Sequence, residues 1–268
     1  MGFEHLLILA LVQGATEFVP VSSSGHLNLL HALTPLPDAG VGMDVALHAG
    51  TLLAVIIYFR RDVGALMRGG FNLILHPHSI GNNPQNNAAL YLIIASLPVL
   101  CAGAILMASG KIDILRTAQI VAWANIIFAL PLWLADRYGA HTQSIQNMKA
   151  YPALLIGLAQ ILALIPGASR AGVTIMAARA LGFNRFAAAR FSMLLSIPVI
   201  AAFALAALFD LLQKGDETAL SAMLIGAGLA ALVALITIHL FIKMMQKMSL
   251  TPFIIYRIML GIGLLILF

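Results

Sequence analysis

Six stretches of the chain are apolar for long enough to cross a bilayer: roughly 43–59, 88–107, 117–135, 187–208, 219–241 and 252–268. Each supplies about 17–23 residues, which at about 1.5 Å per residue matches a hydrocarbon core about 30 Å thick. His48 in the first and Arg257 in the last show that neither is a plain lipid-facing rod. Residues 61–75 mix arginine with Leu, Met and Phe, a pattern suited to a helix lying along the interface. Two further apolar segments are interrupted. Residues 3–34 contain Glu17 and the run Pro20-Val21-Ser22-Ser23-Ser24-Gly25-His26, and residues 150–181 contain Pro166-Gly167-Ala168-Ser169-Arg170-Ala171-Gly172. Proline and glycine break helices. Freed backbone groups are tolerated at membrane depth only where protein or a wet cavity covers them. Each segment therefore reads as helix, turn, helix, entering and leaving by one side.

The two breaks suggest a repeat. Ser23 and Ser169 are 146 residues apart, each three residues after a proline, and each broken segment precedes three full spans. A hairpin that makes no net crossing followed by three crossings places the second copy upside down. The expected fold is an all-α polytopic membrane protein, a single domain over 1–268. Its inverted repeats are 1–135 and 150–268, with six full transmembrane helices and two re-entrant helical hairpins.

Composition supports a lipid-facing surface. The 268 residues are 61% hydrophobic and 9% charged, against about 25% charged for soluble domains. The net charge of +5 does not indicate a nucleic-acid partner, because the Lys and Arg residues are scattered singly or in pairs between hydrophobic runs. The side reached after the first full span collects ten of these cations: Arg60, Arg61, Arg68, Arg137, Lys149, Arg179, Arg185, Arg190, Lys243 and Lys247. The other side collects Lys111, Arg116 and Lys214, along with Asp210, Asp216 and Glu217. The positive-inside rule makes the first side cytoplasmic, puts both termini outside, and brings the two hairpin tips together from opposite faces.

The polar residues at the breaks carry the chemistry. Glu17 follows Gln13 by four residues, which places both on one helical face. A charged carboxylate deep in hydrocarbon costs on the order of 2.5–3.5 kcal/mol or more, so it needs a cation, a proton or Arg170. Ser22, Ser23, Ser24 and Gly25 occupy a turn whose N–H groups and following helix suit a phosphate. His26, three residues after Ser23, or Glu17 can take a proton from a serine nucleophile. Arg170 can grip phosphate oxygens bidentately, with Ser169 beside it and Thr174 one turn on. When the site is empty, Glu17 and Arg170 are expected to pair. Asp44, His48, Asn125, Gln160, His239 and Arg257 are weaker candidates, and no P-loop or His-Glu-x-x-His signature is present.

The run from Gln13 through Glu17, Pro20, Ser22, Ser23, Ser24 and Gly25 to His26 resembles the first signature of the undecaprenyl-diphosphatase family, the bacitracin-resistance proteins. The run Pro166-Gly167-Ala168-Ser169-Arg170-Ala171-Gly172-Val173-Thr174 resembles the second, and the stretch from Arg190 to Pro198 is also similar. The resemblance covers essentially the whole chain. It implies hydrolysis of undecaprenyl diphosphate, a polyprenyl diphosphate lipid, to the monophosphate and inorganic phosphate, recycling a carrier for peptidoglycan. It also implies a divalent metal, Mg2+ or Ca2+, to which Glu17 is the candidate ligand, and a site in the bacterial inner membrane opening to the periplasm. The pattern carries over onto Glu17, Ser23, His26, Ser169, Arg170 and Thr174. Gln13 stands at a position occupied by Glu or Gln, and Ala171 replaces an expected serine. A transporter or flippase for a phosphorylated lipid or anion is the alternative, since broken helices serve transport equally well. Membrane lipids are the expected surroundings, and the sequence leaves a homodimer open.

Overall fold

The computed structural model describes residues 2–34, 40–76, 78, 81, 83–110, 114–115, 117–214 and 218–268, without the side chains at 31–32, 41, 207–214 and 218–219. Lys111, Arg116, Asp216 and Glu217, and the side chains of Asp210 and Lys214, therefore lie outside the described part of the charge pattern. The longer elements among the described residues are all helices: α1 (Phe3–Thr16), α2 (Ser23–Leu33), α3 (Gly40–Tyr58), α4 (Arg60–Leu75), α5 (Pro84–Ala108), α6 (Ala118–Tyr138), α7 (Ala150–Gln160), α8 (Arg170–Ala180), α9 (Arg185–Lys214), α10 (Thr218–Met245) and α11 (Thr251–Leu267). Both interrupted segments are broken helices, α1–α2 and α7–α8, and a short 3-10 turn, Ile161–Leu164, leads into the second break.

The molecule is a polytopic membrane bundle. Among the described residues four helices are long and apolar enough to cross: Pro84–Ala108, Ala118–Tyr138, Arg185–Ala206 and Leu220–Met245. A fifth crossing arises if the pair Gly42–Tyr58 and Arg60–Leu75, bent by 90°, counts as one. The sixth expected span, 252–268, is the 17-residue α11, apolar and at the short end of the range that crosses a hydrocarbon core. The outward faces are apolar at helical spacing, as with Ile127, Leu130 and Leu134 on α6 and Leu232, Ile236 and Leu240 on α10. Such stripes suit lipid. On α4 the exposed Met67, Phe71, Ile74 and Leu75 share one face. With its sharp turn away from α3, this gives α4 the form of an interfacial helix.

Small residues set the helix spacing. A Cβ on Gly50 of α3 would lie 2.1 Å from the Ala227 carbonyl oxygen of α10, and one on Gly157 of α7 would lie 2.5 Å from the Ala95 oxygen of α5. Both helices press backbone to backbone, as small-residue contacts in membranes allow. The halves are interleaved: α1 packs along α10, and α7 along α5. The first hairpin is thus held by a helix of the second half and the second hairpin by a helix of the first.

One end of the bundle is tied by a buried ionic cluster. The Asp136 carboxylate on α6 accepts from Arg179 Nε at 3.2 Å, from Arg185 Nε at 2.7 Å and Nη2 at 3.1 Å, and from the Leu250 N–H at 3.0 Å. Arg179 is fully buried and also donates to the carbonyls of Asp136, Gly139, Ala140 and Phe183. One carboxylate thereby joins α6, α8, α9 and the start of α11. Asp136→Ala leaves Arg179 buried without its counter-charge, a loss of about 3–5 kcal/mol. A fall in the unfolding midpoint of the detergent-solubilised protein, with wild-type turnover in the molecules that remain folded, is the expected result.

Candidate active site

Each break is built from the same local conformation. Pro20 cannot continue α1, and after a tight turn Ser22 takes φ 70° and ψ 102°. Ser169 takes φ 68° and ψ 113° in the second break. These are the two positive-φ residues other than glycine among those described. In both, the serine caps the following helix, Ser22 Oγ accepting the Gly25 N–H at 3.3 Å and Ser169 Oγ the Gly172 N–H at 3.2 Å. A positive φ costs a branched residue dearly and a small polar one about 1–3 kcal/mol, a strain that the surrounding contacts must hold. The matched pair is therefore Ser22 and Ser169, 147 residues apart, not Ser23 and Ser169. The same register pairs Gln13 with Gln160, both fully buried. Gly167 precedes the second cap at φ 96°, and a Cβ there would lie 2.3 Å from the Val121 carbonyl oxygen, so only glycine fits.

The two tips meet. Arg170 Nη2 donates to Glu17 Oε1 at 3.3 Å, across 153 residues of sequence. The Gly167 N–H donates to Ser24 Oγ at 3.1 Å, and Ser24 Oγ is 3.0 Å from Ser22 Oγ. Glu17 Oε2 accepts from Gln13 Nε2 at 2.9 Å and from Ser23 Oγ at 3.2 Å, with His48 Nε2 3.6 Å away. The carboxylate is thus held by a guanidinium, an amide and a hydroxyl, which offsets the cost of its burial. Arg170 also donates through Nη1 to the Ser192 carbonyl at 2.9 Å and lies 5.7 Å from the Phe18 ring centre. Three of its five N–H bonds remain for another acceptor. A cavity of about 170 Å³ lies between the tips, lined by Glu17, Ser22, Ser23, Ser24, His48, Pro166, Gly167, Ser169 and Arg170 among others. The N-termini of α2 and α8 both begin on its wall, adding two positive dipole ends to the guanidinium. A larger, mostly apolar cavity of about 450 Å³, carrying the Asp62–Arg190 pair, lies apart from these groups between α4, α5 and α9.

The structure sorts the candidates named from the sequence. Glu17, Ser22, Ser23, Ser24, Ser169 and Arg170 share the wall, and Gln13 stands behind Glu17. Gly25 gives its N–H to the Ser22 cap and is not on the wall. Thr174 is buried behind Arg170, its hydroxyl bonded to the Arg170 carbonyl at 2.8 Å and to Ser192 Oγ at 2.7 Å. It braces the strand of contacts that aims the guanidinium. His26 does not line the cavity. Its Nδ1 is 2.7 Å from the Ser22 carbonyl and its Nε2 is 2.8 Å from the Tyr256 hydroxyl, with the two rings stacked. The carbonyl needs a proton on Nδ1, so Nε2 accepts from the tyrosine and both nitrogens are occupied.

Three residues gain importance that sequence reasoning had not given them. His48 reaches Glu17, and its only signal was an imidazole inside an apolar span. Its Nδ1–H is held by the Asp44 carbonyl at 2.7 Å, so Nε2 faces the carboxylate and the contact is attractive when that nitrogen is protonated. Tyr256 anchors His26. Arg257, fully buried, donates to the Gly167 carbonyl at 3.0 Å and to the Asn125 carbonyl at 3.3 Å, fastening the second tip to α6.

A buried carboxylate beside a serine hydroxyl, facing an arginine and two helix N-termini across a membrane cavity, defines a membrane protein built to handle a phosphoryl group. The chain belongs to the BacA family of bacitracin resistance proteins, whose family model matches residues 6–263. It is 45% identical over 273 residues to the undecaprenyl-diphosphatase of Maricaulis maris, covering 100% of both chains. It is 43% identical to those of Roseobacter denitrificans and Ruegeria pomeroyi, covering 99% of this chain and 98% of each relative.

Proposed function

We propose that the protein hydrolyses undecaprenyl diphosphate to undecaprenyl phosphate and inorganic phosphate, recycling the lipid carrier of peptidoglycan synthesis. The observation that carries this reading is the Glu17–Arg170 pair at 3.3 Å with Ser23 Oγ 3.2 Å from the same carboxylate. Arg170 leaves Glu17 for the terminal phosphate, and the Ser169 hydroxyl and the two helix N-termini share the remaining charge. The freed carboxylate takes the proton of Ser23 Oγ, which attacks the terminal phosphorus in line. The bond to the bridging oxygen breaks, undecaprenyl phosphate departs, and water then releases phosphate from the phosphoserine. Glu17 replaces His26 as the proton acceptor in this scheme, because His26 has both nitrogens engaged. His26, with Tyr256, holds the Ser22 carbonyl and so the shape of the first tip.

The donor set fits a divalent ion arriving with the substrate. Mg2+ commonly binds one or two carboxylates plus substrate phosphate oxygens, and Glu17 offers a carboxylate while the neighbouring Gln13 carbonyl oxygen is buried without a partner. When bound, Mg2+ or Ca2+ would neutralise charge on the diphosphate. Chelator is expected to reduce phosphate release by the purified protein, and either ion should restore it.

The proposal includes six crossings and two re-entrant hairpins in inverted repeats, 1–135 and 150–268, with the Arg137 and Arg185 end in the cytoplasm, both termini periplasmic and the cavity open to the periplasm. The recurrence of the positive-φ serine cap and buried glutamine at 147 residues supports the repeat, and the basic residues support the orientation. This arrangement also admits a homodimer. Phosphate release in detergent, with no sealed membrane, distinguishes hydrolysis from transport of a phosphorylated lipid or anion; transport into liposomes without release would favour the transporter.

A further inference from the structure

A second polar cavity, of about 180 Å³, lies at the ionic end of the bundle, away from the hairpin tips. Asp136, Arg137, His141, Arg185, Ser249 and Thr251 line it. Its carboxylate is saturated: Asp136 already accepts from two arginines and one backbone N–H. Arg137 has no ion pair among the described residues, and the hydroxyls of Ser249 and Thr251 have no bonded partner there. Arg179 stands directly behind, donating to His141 Nε2 at 3.3 Å. That donation fixes the imidazole with its remaining proton on Nδ1, a further donor. Burial first, then the charges of Arg179 and Arg185, hold His141 below its ordinary range, so it adds a neutral N–H rather than a charge. The wall therefore carries two guanidiniums, Arg137 and Arg185, with Arg179 behind them, against one carboxylate whose lone pairs are all engaged.

The surroundings point to lipid. Trp133 lines the cavity and packs edge-on against Tyr138, which is exposed at the end of α6. An indole and a phenol together at a span end mark the membrane–water interface. A ligand here meets apolar chains on one side and cations on the other.

We infer that this cavity is a second anion site, distinct from the catalytic one, which takes the phosphate of a membrane lipid headgroup at the interface. Arg137 and Arg185 hold the phosphate oxygens, and the Ser249 and Thr251 hydroxyls complete the shell. Assigning the site to the cytoplasmic leaflet rests on the orientation proposed above; the anion chemistry does not. The phosphate group is the recognised element, and a free phosphate offers the same oxygens.

The test uses the full-length protein in mild detergent. Retained phosphatidylglycerol is counted by native mass spectrometry for wild type, Arg137→Gln and, as a control for general surface charge, Arg61→Gln on α4. Hydrolysis of C55 diphosphate is followed in parallel. Arg137→Gln is expected to retain about fivefold less lipid, the effect of one basic residue at an anionic surface, with Arg61→Gln like wild type and hydrolysis unchanged in all three. In a second arm, inorganic phosphate is compared with chloride at matched ionic strength for its effect on the unfolding midpoint. Stabilisation of wild type but not Arg137→Gln, with equal lipid retention, keeps the anion site and assigns it to soluble phosphate. Equal behaviour of wild type and Arg137→Gln toward both probes overturns the site, and does so without touching the proposed hydrolysis.

Discussion

Arg170→Ala is expected to lower phosphate release from C55 diphosphate by about 10³-fold or more, the scale on which a positively charged finger stabilises a phosphoryl-transfer transition state. Among the described residues, the guanidinium is the permanently charged cation on the wall of the cavity between the tips. It is also the natural counter-charge to Glu17 in the empty site. Removing it strips the terminal phosphate of its principal partner and leaves the buried Glu17 carboxylate without the counter-charge that holds it in place beside Ser23. Both consequences act on turnover. Arg170→Lys separates them: it keeps a charge near Glu17 but loses the planar fork and the simultaneous bond to the Ser192 carbonyl. Its turnover should fall between wild type and Arg170→Ala, while its unfolding midpoint stays closer to wild type than that of the alanine variant. Near-normal release by Arg170→Ala would contradict the clamp.

Ser23→Ala should cost about 10²-fold or more in turnover, and the protein should fold, because the helix cap is made by Ser22 and not by Ser23. Ser23 Oγ has a carboxylate acceptor 3.2 Å away and lies at the N-terminus of α2, which stabilises charge on the attacking oxygen and on the phosphate it meets. Rapid acid quench of wild type turning over substrate labelled in the terminal phosphate should leave label on Ser23. Full activity in Ser23→Ala removes the serine from covalent catalysis and leaves a Glu17-activated water as the attacking group.

The breaks in the two apolar segments are legible because their polar residues are so costly where they stand. Glu17 and Arg170 in apolar context demand each other or a ligand, and Pro20 and Pro166 mark the breaks. The pairing of the two is found at 3.3 Å. Proline spacing aligns Ser23 with Ser169, whereas the backbone conformation recurs at Ser22 and Ser169. The property that matches Ser22 to Ser169 is a backbone angle, which no side-chain pattern displays. The position of His26 after three serines suggests a base, while in the structure its ring is turned to Tyr256, 230 residues away. His48 was undervalued because a single imidazole in a span carries no spacing signal, and only the fold brings it to Glu17. The apolar run 252–268 is the helix α11, which starts at Thr251 beside the ionic cluster.

Contacts around the tips explain why the site can hold strain. The positive-φ serines are gripped by contacts from other elements: Ser24 receives the Gly167 N–H, Gly167 is fixed by Arg257, and the Ser22 carbonyl is fixed by His26. The second hairpin continues into α8, whose far end is locked by Arg179 to Asp136. Contacts from other elements thus hold an unusual backbone at the tips, the arrangement a preorganised phosphate site requires.

The most direct measurement is inorganic phosphate released from C55 diphosphate by the purified protein in detergent, comparing wild type with Glu17→Gln in the first tip and Arg170→Ala in the second. Wild type should release one phosphate for each undecaprenyl phosphate formed, and each substitution alone should abolish nearly all of it. Substantial release with either tip disabled would contradict a single site assembled from both.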